Sequence, residues 1–224
     1  MGRNNVIERY FTAGRRFKWT EPREAASGTD GAVIDNPLIA HGPMTYAGLD
    51  GRLYKQTTAN MMAQAQLGLN MGAGIPYSWL AYAPGRTTRL CAAGDIFTGP
   101  MSGCIIATWQ EGGKRYVGHV GTMGDKTIDD KVKQMFAVNM PQNASGFNPG
   151  SGVWNIDAPG IIAQITPMYK WIQLALVTAN NQCHSILMLK IKHPDLWCVG
   201  GIKQVPLMDY DDIRDKFLPR ERVL

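Results

Sequence analysis

Short apolar runs bounded by glycine and proline dominate the middle of the chain. They are rich in β-branched and aromatic residues, which is typical of β-strands. Strands are therefore predicted over residues 75–82, 87–92, 104–109, 115–120 and 185–191, with a further short strand at 32–34. Residues 161–177 also contain apolar residues, but these fit either a helix or a strand.

Apolar residues spaced three or four apart predict helices in three places. One helix is expected over residues 125–138, where the apolar stripe consists of Ile128, Val132, Met135 and Phe136. A second is expected over residues 53–69, and a charged terminal helix over 209–224, interrupted by Pro219. Together with the strands, these helices predict the α+β class, with a central β-sandwich of mixed sheets flanked by helices.

The beginning of the chain differs in composition from the rest. Residues 1–50 are rich in glycine, proline and charge, and we expect them to form a partly mobile N-terminal arm. The whole chain has 224 residues, of which 45% are hydrophobic, so it is long enough to bury one sizeable core. We therefore predict a single domain over residues 1–224.

The charge is modestly basic, with a formal net charge of +5. The basic residues are scattered and accompany no nucleic-acid-binding motif, so nucleic acid is not favoured as a partner. No stretch has the roughly 18 to 20 continuous apolar residues that a membrane-spanning helix needs, and the first residues lack the apolar segment of a classical signal peptide. We expect a monomer without a membrane span.

The four cysteines are Cys91, Cys104, Cys183 and Cys198. No two have the Cys-x-x-Cys spacing that is typical of zinc or redox sites. Their low density in a chain without a signal peptide favours free thiols over disulfides. We therefore expect no metal site.

Cys104 and His119 flank a predicted hairpin. Residues 104–109 and 115–120 are the two strands, and Gly112-Gly113 is a two-residue turn signal between them. This turn places Ile106 opposite His119 and Cys104 opposite Gly121. Cys104 and His119 are then diagonal neighbours on one face of the hairpin, with backbones about 7 to 8 Å apart.

This arrangement suits nucleophilic catalysis. A cysteine needs a base that removes its proton, and histidine can return that proton to a leaving amine. The small or turn-forming residues before Cys104, which are Gly99, Ser102 and Gly103, allow backbone N–H groups to approach a substrate oxyanion. The alternative is structural, because a free cysteine is often only a small buried residue. Cys104 would then belong to a basic protein-interaction module.

Other cysteines and histidines are weaker candidates. Cys183 and His184 are adjacent, so in a strand their side chains point to opposite faces. His193 precedes a proline in a predicted surface turn, and His41, in a predicted loop, is the only serious rival base. Cys91 and Cys198 are expected in the core. The polar segment 142–152 is the best candidate for a lid or recognition loop, with a plain surface connection as the alternative.

The residues around Cys104 resemble a known catalytic core. Met101-Ser102-Gly103-Cys104 is similar to the Leu-Ser-Gly-Cys signature of the cytotoxic necrotizing factor family and the related Burkholderia lethal factor, which are glutamine deamidase toxins. His119 stands fifteen residues after the cysteine, and Thr98, six residues before it, matches a threonine that helps to orient the histidine. A looser form of this pattern occurs in chemoreceptor glutamine deamidases.

This resemblance implies a protein-glutamine deamidase with Cys104, His119 and Thr98 as its catalytic residues. Cys104 would form a thioester with a glutamine side chain of a target protein, supported by Ser102 and Gly103, and the reaction would require no cofactor and no metal. Acyl chemistry with the same Cys-His pair also allows a cysteine protease, an amidase or a transglutaminase. If the catalytic interpretation holds, Cys104 and His119 lie side by side at a surface opening, with Thr98 close to the imidazole.

The resemblance also implies a setting. The proteins of this type are bacterial toxins, so we expect a secreted or translocated effector that acts in the cytosol of a target cell. Because the first residues carry no classical signal peptide, export would use another route. The chain does not indicate which protein carries the substrate glutamine.

Overall fold

The computed structural model describes residues 11, 15–22, 27–35, 41–48, 70–150, 153–154, 170–190 and 196–218. These residues form twelve strands and two helices, in the chain order β1 Arg16–Lys18, β2 Val33–Asp35, β3 His41–Gly48, β4 Asn70–Ala81, β5 Thr87–Cys91, β6 Ile96–Gly99, β7 Ile105–Glu111, β8 Lys114–Val120, α1 Lys126–Asn139, β9 Ser145–Phe147, β10 Lys170–Val177, β11 Cys183–Lys190, β12 Leu196–Gln204 and α2 Tyr210–Phe217.

The strands form two mixed sheets. Seven of them make a sheet that closes on itself, in the order β1-β12-β11-β10-β6-β4-β3, because β1 pairs with both β12 and β3. The other five make an open sheet in the order β2-β5-β8-β7-β9. One parallel pair occurs in each sheet, β4 with β6 and β2 with β5. The predicted α+β class with packed mixed sheets and flanking helices is confirmed.

Three layers of buried side chains hold these elements together. Inside the closed sheet lies an aromatic cluster that includes Phe17, Trp19, Trp79, Phe97 and Trp197. Between the two sheets lies a second cluster, drawn from strands of both, that includes Leu80, Ile96, Cys104, Ile106, Val117 and Val177. The third cluster joins the outer face of the open sheet to the two helices. The space between the sheets, which we call the inter-sheet gap, contains Cys104.

The hairpin that carries the candidate pair has the predicted register. Gly112 and Gly113 both have positive φ, at 57° and 72°, as a two-residue turn with primed geometry requires. Ile106 lies opposite His119 and Ile105 opposite Val120. The glycine pair thereby fixes which residues of β7 and β8 face the inter-sheet gap.

Both described helices begin at aspartate N-caps. The Asp125 side chain accepts hydrogen bonds from two backbone N–H groups of the first turn of α1. Asp209 forms a capping box with Asp212 at the start of α2. Phe136 and Ile213 then pack against the open sheet. These helices confirm the prediction over 125–138 and the part of the prediction over 209–224 that is described, which ends at residue 218. The predicted helix over 53–69 lies outside the described residues.

Several predictions need correction. The predicted polar loop 142–152 contains strand β9, which pairs with β7 and buries Phe147. His41 lies in strand β3, opposite Ser78, and not in a loop. No strand was predicted over Ile96–Gly99, but these residues form β6 because β4 and β10 pair with them on either side. The ambiguous segment 161–177 contains strand β10.

Parts of the first 50 residues belong to the sheets. Strands β1 and β3 complete the closed sheet and β2 forms an edge of the open one. Phe17 and Trp19 are buried in the aromatic cluster. The single domain over 1–224 and its partly mobile arm remain predictions. Among the described residues, neither helix has the length and apolar character needed to cross a bilayer.

Arg115 ties the open sheet to the closed one. Its guanidinium donates to Asn181 Oδ1 at 2.7 Å and to the backbone oxygens of Ala92, Gly94 and Thr178 at 3.0, 2.9 and 2.7 Å. Burial lowers its pKa from the usual value, but an arginine stays charged at any physiological pH. One side chain therefore satisfies four acceptors at the junction of the two sheets.

We expect Arg115→Lys to lower the free energy of unfolding by about 2 to 3 kcal/mol, because an ammonium group cannot reach all four acceptors. Urea unfolding measures the change. Lys114→Arg, at the exposed start of the same strand, is the matched control and should change stability by less than about 0.5 kcal/mol. Equal effects of the two variants would contradict the junction role.

Candidate functional site

The candidate histidine lies in the wall of the inter-sheet gap. Along β8, Val117 faces the gap and Val120 faces the helices. Because side chains alternate along a strand, His119 points into the gap, as Val117 does. Its side chain is 0% exposed. The imidazole is thus enclosed between the two sheets.

Thr98 holds this imidazole from the opposite wall. Thr98 lies in β6 of the closed sheet, and its Oγ1 is 2.6 Å from His119 Nδ1. Both residues are 0% exposed, so solvent does not compete for this hydrogen bond. When Nδ1–H donates to the hydroxyl, the lone pair lies on Nε2, as a general base requires. The predicted proximity of Thr98 to His119 is therefore present.

Burial also fixes the charge of His119. It lowers the pKa of the imidazole from 6.5 to about 3, because the charged form would lose its hydration. His119 is therefore neutral at physiological pH. Its Nε2 is buried and has no hydrogen-bond partner among the described residues. An unpartnered basic nitrogen is thus available inside the gap.

Cys104 lies directly before β7, at the end of the gap where β8, which carries His119, ends. Its side chain is 1% exposed and packs with the inter-sheet cluster. The thiol Sγ is 3.4 Å from Thr122 Oγ1. The expected surface opening is therefore wrong, because the closed sheet covers both Cys104 and His119. Of the residues just before the thiol in the sequence, Ser102 is exposed and Gly103 is half-buried.

Tyr82 connects the cysteine and histidine sides of the gap. Its ring centroid lies 5.2 Å from that of His119. The Tyr82 hydroxyl donates to the backbone oxygen of Thr122, whose own hydroxyl contacts Cys104. Thr98, His119, Tyr82, Thr122 and Cys104 thus form a continuous series of contacts. We call these five residues the gap cluster.

Comparison with family models, curated proteins and solved structures found no match.

The turn between β6 and Cys104 is anchored on both sides. The Met101 N–H donates to the backbone oxygen of Gln173 at 2.9 Å, which fixes the turn to β10. A Cβ at Gly150 would lie 2.6 Å from the Ser102 oxygen, so the backbone of residue 150 packs closely on the turn. The turn that contains Ser102 and Gly103 is thereby held between β10 and the backbone of residue 150.

The other cysteines and histidines lie elsewhere. Cys183 faces the inter-sheet cluster, and burial raises the pKa of its thiol to about 12, so it stays protonated. His184, its neighbour in β11, points away from that face, as the alternation predicted. Cys91 is exposed at the end of β5, so its expected place in the core is wrong. His193 lies outside the described residues. All four cysteines are free thiols.

Sequence patterns did not indicate three residues of the gap. Thr122 lies beyond the end of β8, and extending the hairpin register would place it opposite Gly103 with its side chain on the helix side, so the pattern gave no signal for its contact with Cys104. Tyr82 and Gln173 come from strands β4 and β10, whose positions depend on how the closed sheet forms. Among the described residues, no three histidine, cysteine or acidic side chains are grouped to hold a metal ion.

We expect Thr98→Val to lower the free energy of unfolding by about 1 to 3 kcal/mol, because the buried Nδ1 of His119 then lacks its partner. Thr98→Ser keeps the hydroxyl and is the matched control. Chemical denaturation of the two variants measures the difference. A larger loss in Thr98→Ser than in Thr98→Val would mean that the methyl group, and not the hydrogen bond, stabilises the site.

Proposed function

We propose that this chain is a protein-glutamine deamidase in which Cys104 is the nucleophile and His119 the general acid and base. One observation carries the proposal: His119 is held through Nδ1 by Thr98, while Nε2 is buried without a partner in the gap that also contains Cys104. A lone pair on the free ring nitrogen is what a thiol needs to lose its proton.

The reaction has two halves that share one imidazole. The thiol proton moves to His119 Nε2 as Sγ bonds to the carboxamide carbon, and the C–N bond then breaks as Nε2 returns the proton to the leaving ammonia. Water next gives a proton to Nε2, its oxygen attacks the thioester, and the C–S bond breaks to restore the thiol. The products are a glutamate side chain and ammonia, and no cofactor takes part.

The enclosure of the thiol favours a slender substrate. Cys104 is 1% exposed, and in the turn before it Ser102 is exposed while Pro100 and Gly103 are half-buried. A glutamine side chain can extend into such a gap by its two methylene groups. A main-chain peptide bond, with side chains on both sides, needs a wider cleft. Access therefore supports a side-chain carboxamide over a peptide bond as the substrate.

The product explains how such an enzyme would alter its target. Glutamate has nearly the shape of glutamine but carries a negative charge, and an unpaired charge in an interface costs several kcal/mol. One conversion is therefore sufficient to inactivate or activate a partner protein. This consequence, with the similarity of residues 101–104 to deamidase toxins, supports an effector that acts on a protein inside a target cell.

The test uses ammonia release from a desalted cell lysate. Wild-type protein should release ammonia, and His119→Ala should lower the rate by at least about a hundredfold, because the acid and base are lost. His184→Ala, in the neighbouring sheet, is the control for loss of a buried histidine. Full ammonia release by His119→Ala would contradict the proposal, and new chain ends in the lysate proteins would indicate a protease.

A further inference from the structure

Gln173 is a buried polar residue in the wall of the inter-sheet gap. Its neighbours Ile172, Leu174 and Leu176 in β10 face the inside of the closed sheet, whereas Ala175 and Val177 face the gap. Side chains alternate along a strand, so Gln173 shares the gap-facing side with Ala175. It is 2% exposed. A glutamine here needs hydrogen-bond partners inside the gap.

The register places Gln173 at the same end of the gap as Cys104. Ala175 lies opposite Thr98, and Gln173 is two residues further along β10, in the direction of the turn that leads to Cys104. Its backbone oxygen accepts from the N–H of Met101 in that turn. On the other wall, Cys104 follows that turn and faces the gap, at the end of the hairpin that carries His119. Since Thr98 contacts His119 across the gap, Gln173 and Cys104 lie on facing walls.

The side-chain nitrogen of Gln173 has no hydrogen-bond partner in the part of the chain that the structure describes. This Nε2 is buried, as is Nε2 of His119, which also has no partner among the described residues. Leaving a buried donor unsatisfied is costly, so two such atoms facing one gap need an explanation. A primary carboxamide would satisfy both, because its oxygen accepts from an amide N–H and its nitrogen donates to an imidazole.

We propose that Gln173 Nε2 is the donor that holds the carbonyl oxygen of the substrate carboxamide beside Cys104. This inference rests on the proposed function and adds to it a side-chain donor for the oxyanion. As Sγ bonds to the carbon, the carbonyl oxygen becomes an oxyanion that accepts from Gln173 and from the backbone of the turn. The nitrogen is left beside His119, which protonates it as the C–N bond breaks.

The experiment compares Gln173→Met with wild type, because methionine keeps the shape and removes the N–H donor. Iodoacetamide carries a primary carboxamide, and its alkylation rate at Cys104 should fall roughly fivefold in the variant, as expected for loss of one hydrogen bond. The rate with methyl methanethiosulfonate, which lacks a carboxamide, should not change. The melting temperature should be equal or higher, because an unpartnered polar group has been removed. Gln110→Met, at an exposed position in β7, is the matched control.

Each result supports or overturns the assignment. Equal rates with iodoacetamide in both proteins, a parallel fall with both reagents, or unreactive Cys104 in wild type would overturn it. Ammonia release tests the deamidase proposal separately. If Gln173→Met releases ammonia at the full wild-type rate, the deamidase proposal stands and the donor role of Gln173 is refuted. If alkylation is selective for the carboxamide reagent but no ammonia is released, the donor role of Gln173 stands and the deamidase proposal is refuted.

Discussion

Cys104→Ser should abolish ammonia release, with a loss of at least about a thousandfold. A serine hydroxyl is a far weaker acid than a thiol, and His119, neutral and buried, cannot ionise it to a comparable extent. The substitution removes one buried sulfur and keeps a group that can hydrogen bond to Thr122. We therefore expect a folded protein without activity, measured by ammonia assay and circular dichroism.

Cys183→Ser is the matched control for this prediction. Cys183 is also buried in the inter-sheet cluster, but its thiol pKa is raised to about 12, so it cannot act as a nucleophile. The control should lose some stability and retain its activity. If Cys104→Ser kept full activity, or if Cys183→Ser lost as much as Cys104→Ser, the nucleophile would have to lie elsewhere.

Acid should destabilise the protein through His119. The imidazole has a pKa of about 3 in the folded chain against 6.5 when unfolded, so its stabilising contribution is complete above pH 6.5 and is lost as the pH falls toward 3. Each pH unit within that window costs about 1.4 kcal/mol. Between pH 7 and pH 4 this one residue should therefore lower the free energy of unfolding by about 3 kcal/mol, measured by urea titrations at each pH.

His119→Gln isolates this contribution, because glutamine does not titrate. The variant should show a shallower decline of stability over the same pH range. The ring protons of His119, followed by NMR, provide a second measurement on the unaltered protein. An imidazole that titrates near pH 6.5 in the folded protein would refute the burial of the site and the neutral form of its base.

Local sequence patterns predicted the hairpin and the register of its two strands. Gly112-Gly113 requires a two-residue turn, and that turn alone sets Ile106 opposite His119 and brings Cys104 to the same face. The helices were predictable because their apolar stripes and aspartate caps lie within single segments. The contact of Thr98 with His119 followed only from the resemblance to deamidases, since β6 and β8 belong to different sheets.

The enclosure of the site could not be predicted in this way. Strand β6 is only four residues long and flanked by Asp95 and Pro100, so its identity as a strand depends on pairing with β4 and β10. The closed sheet that results covers Cys104. The same long-range pairing places Tyr82 and Gln173 in the gap. Their positions in the gap therefore depend on pairing between strands that are distant in the sequence.

Site-resolved mass spectrometry of proteins from a lysate tests the central claim most directly. Lysate treated with the wild-type protein should contain one or a few glutamine residues converted to glutamate, on target chains that remain uncut. Treatment with Cys104→Ser should produce none of these conversions. Conversions that are equally frequent with both proteins, or target chains that are cleaved without any glutamine conversion, would contradict the assignment of Cys104 and His119 as the centre of a protein-glutamine deamidase.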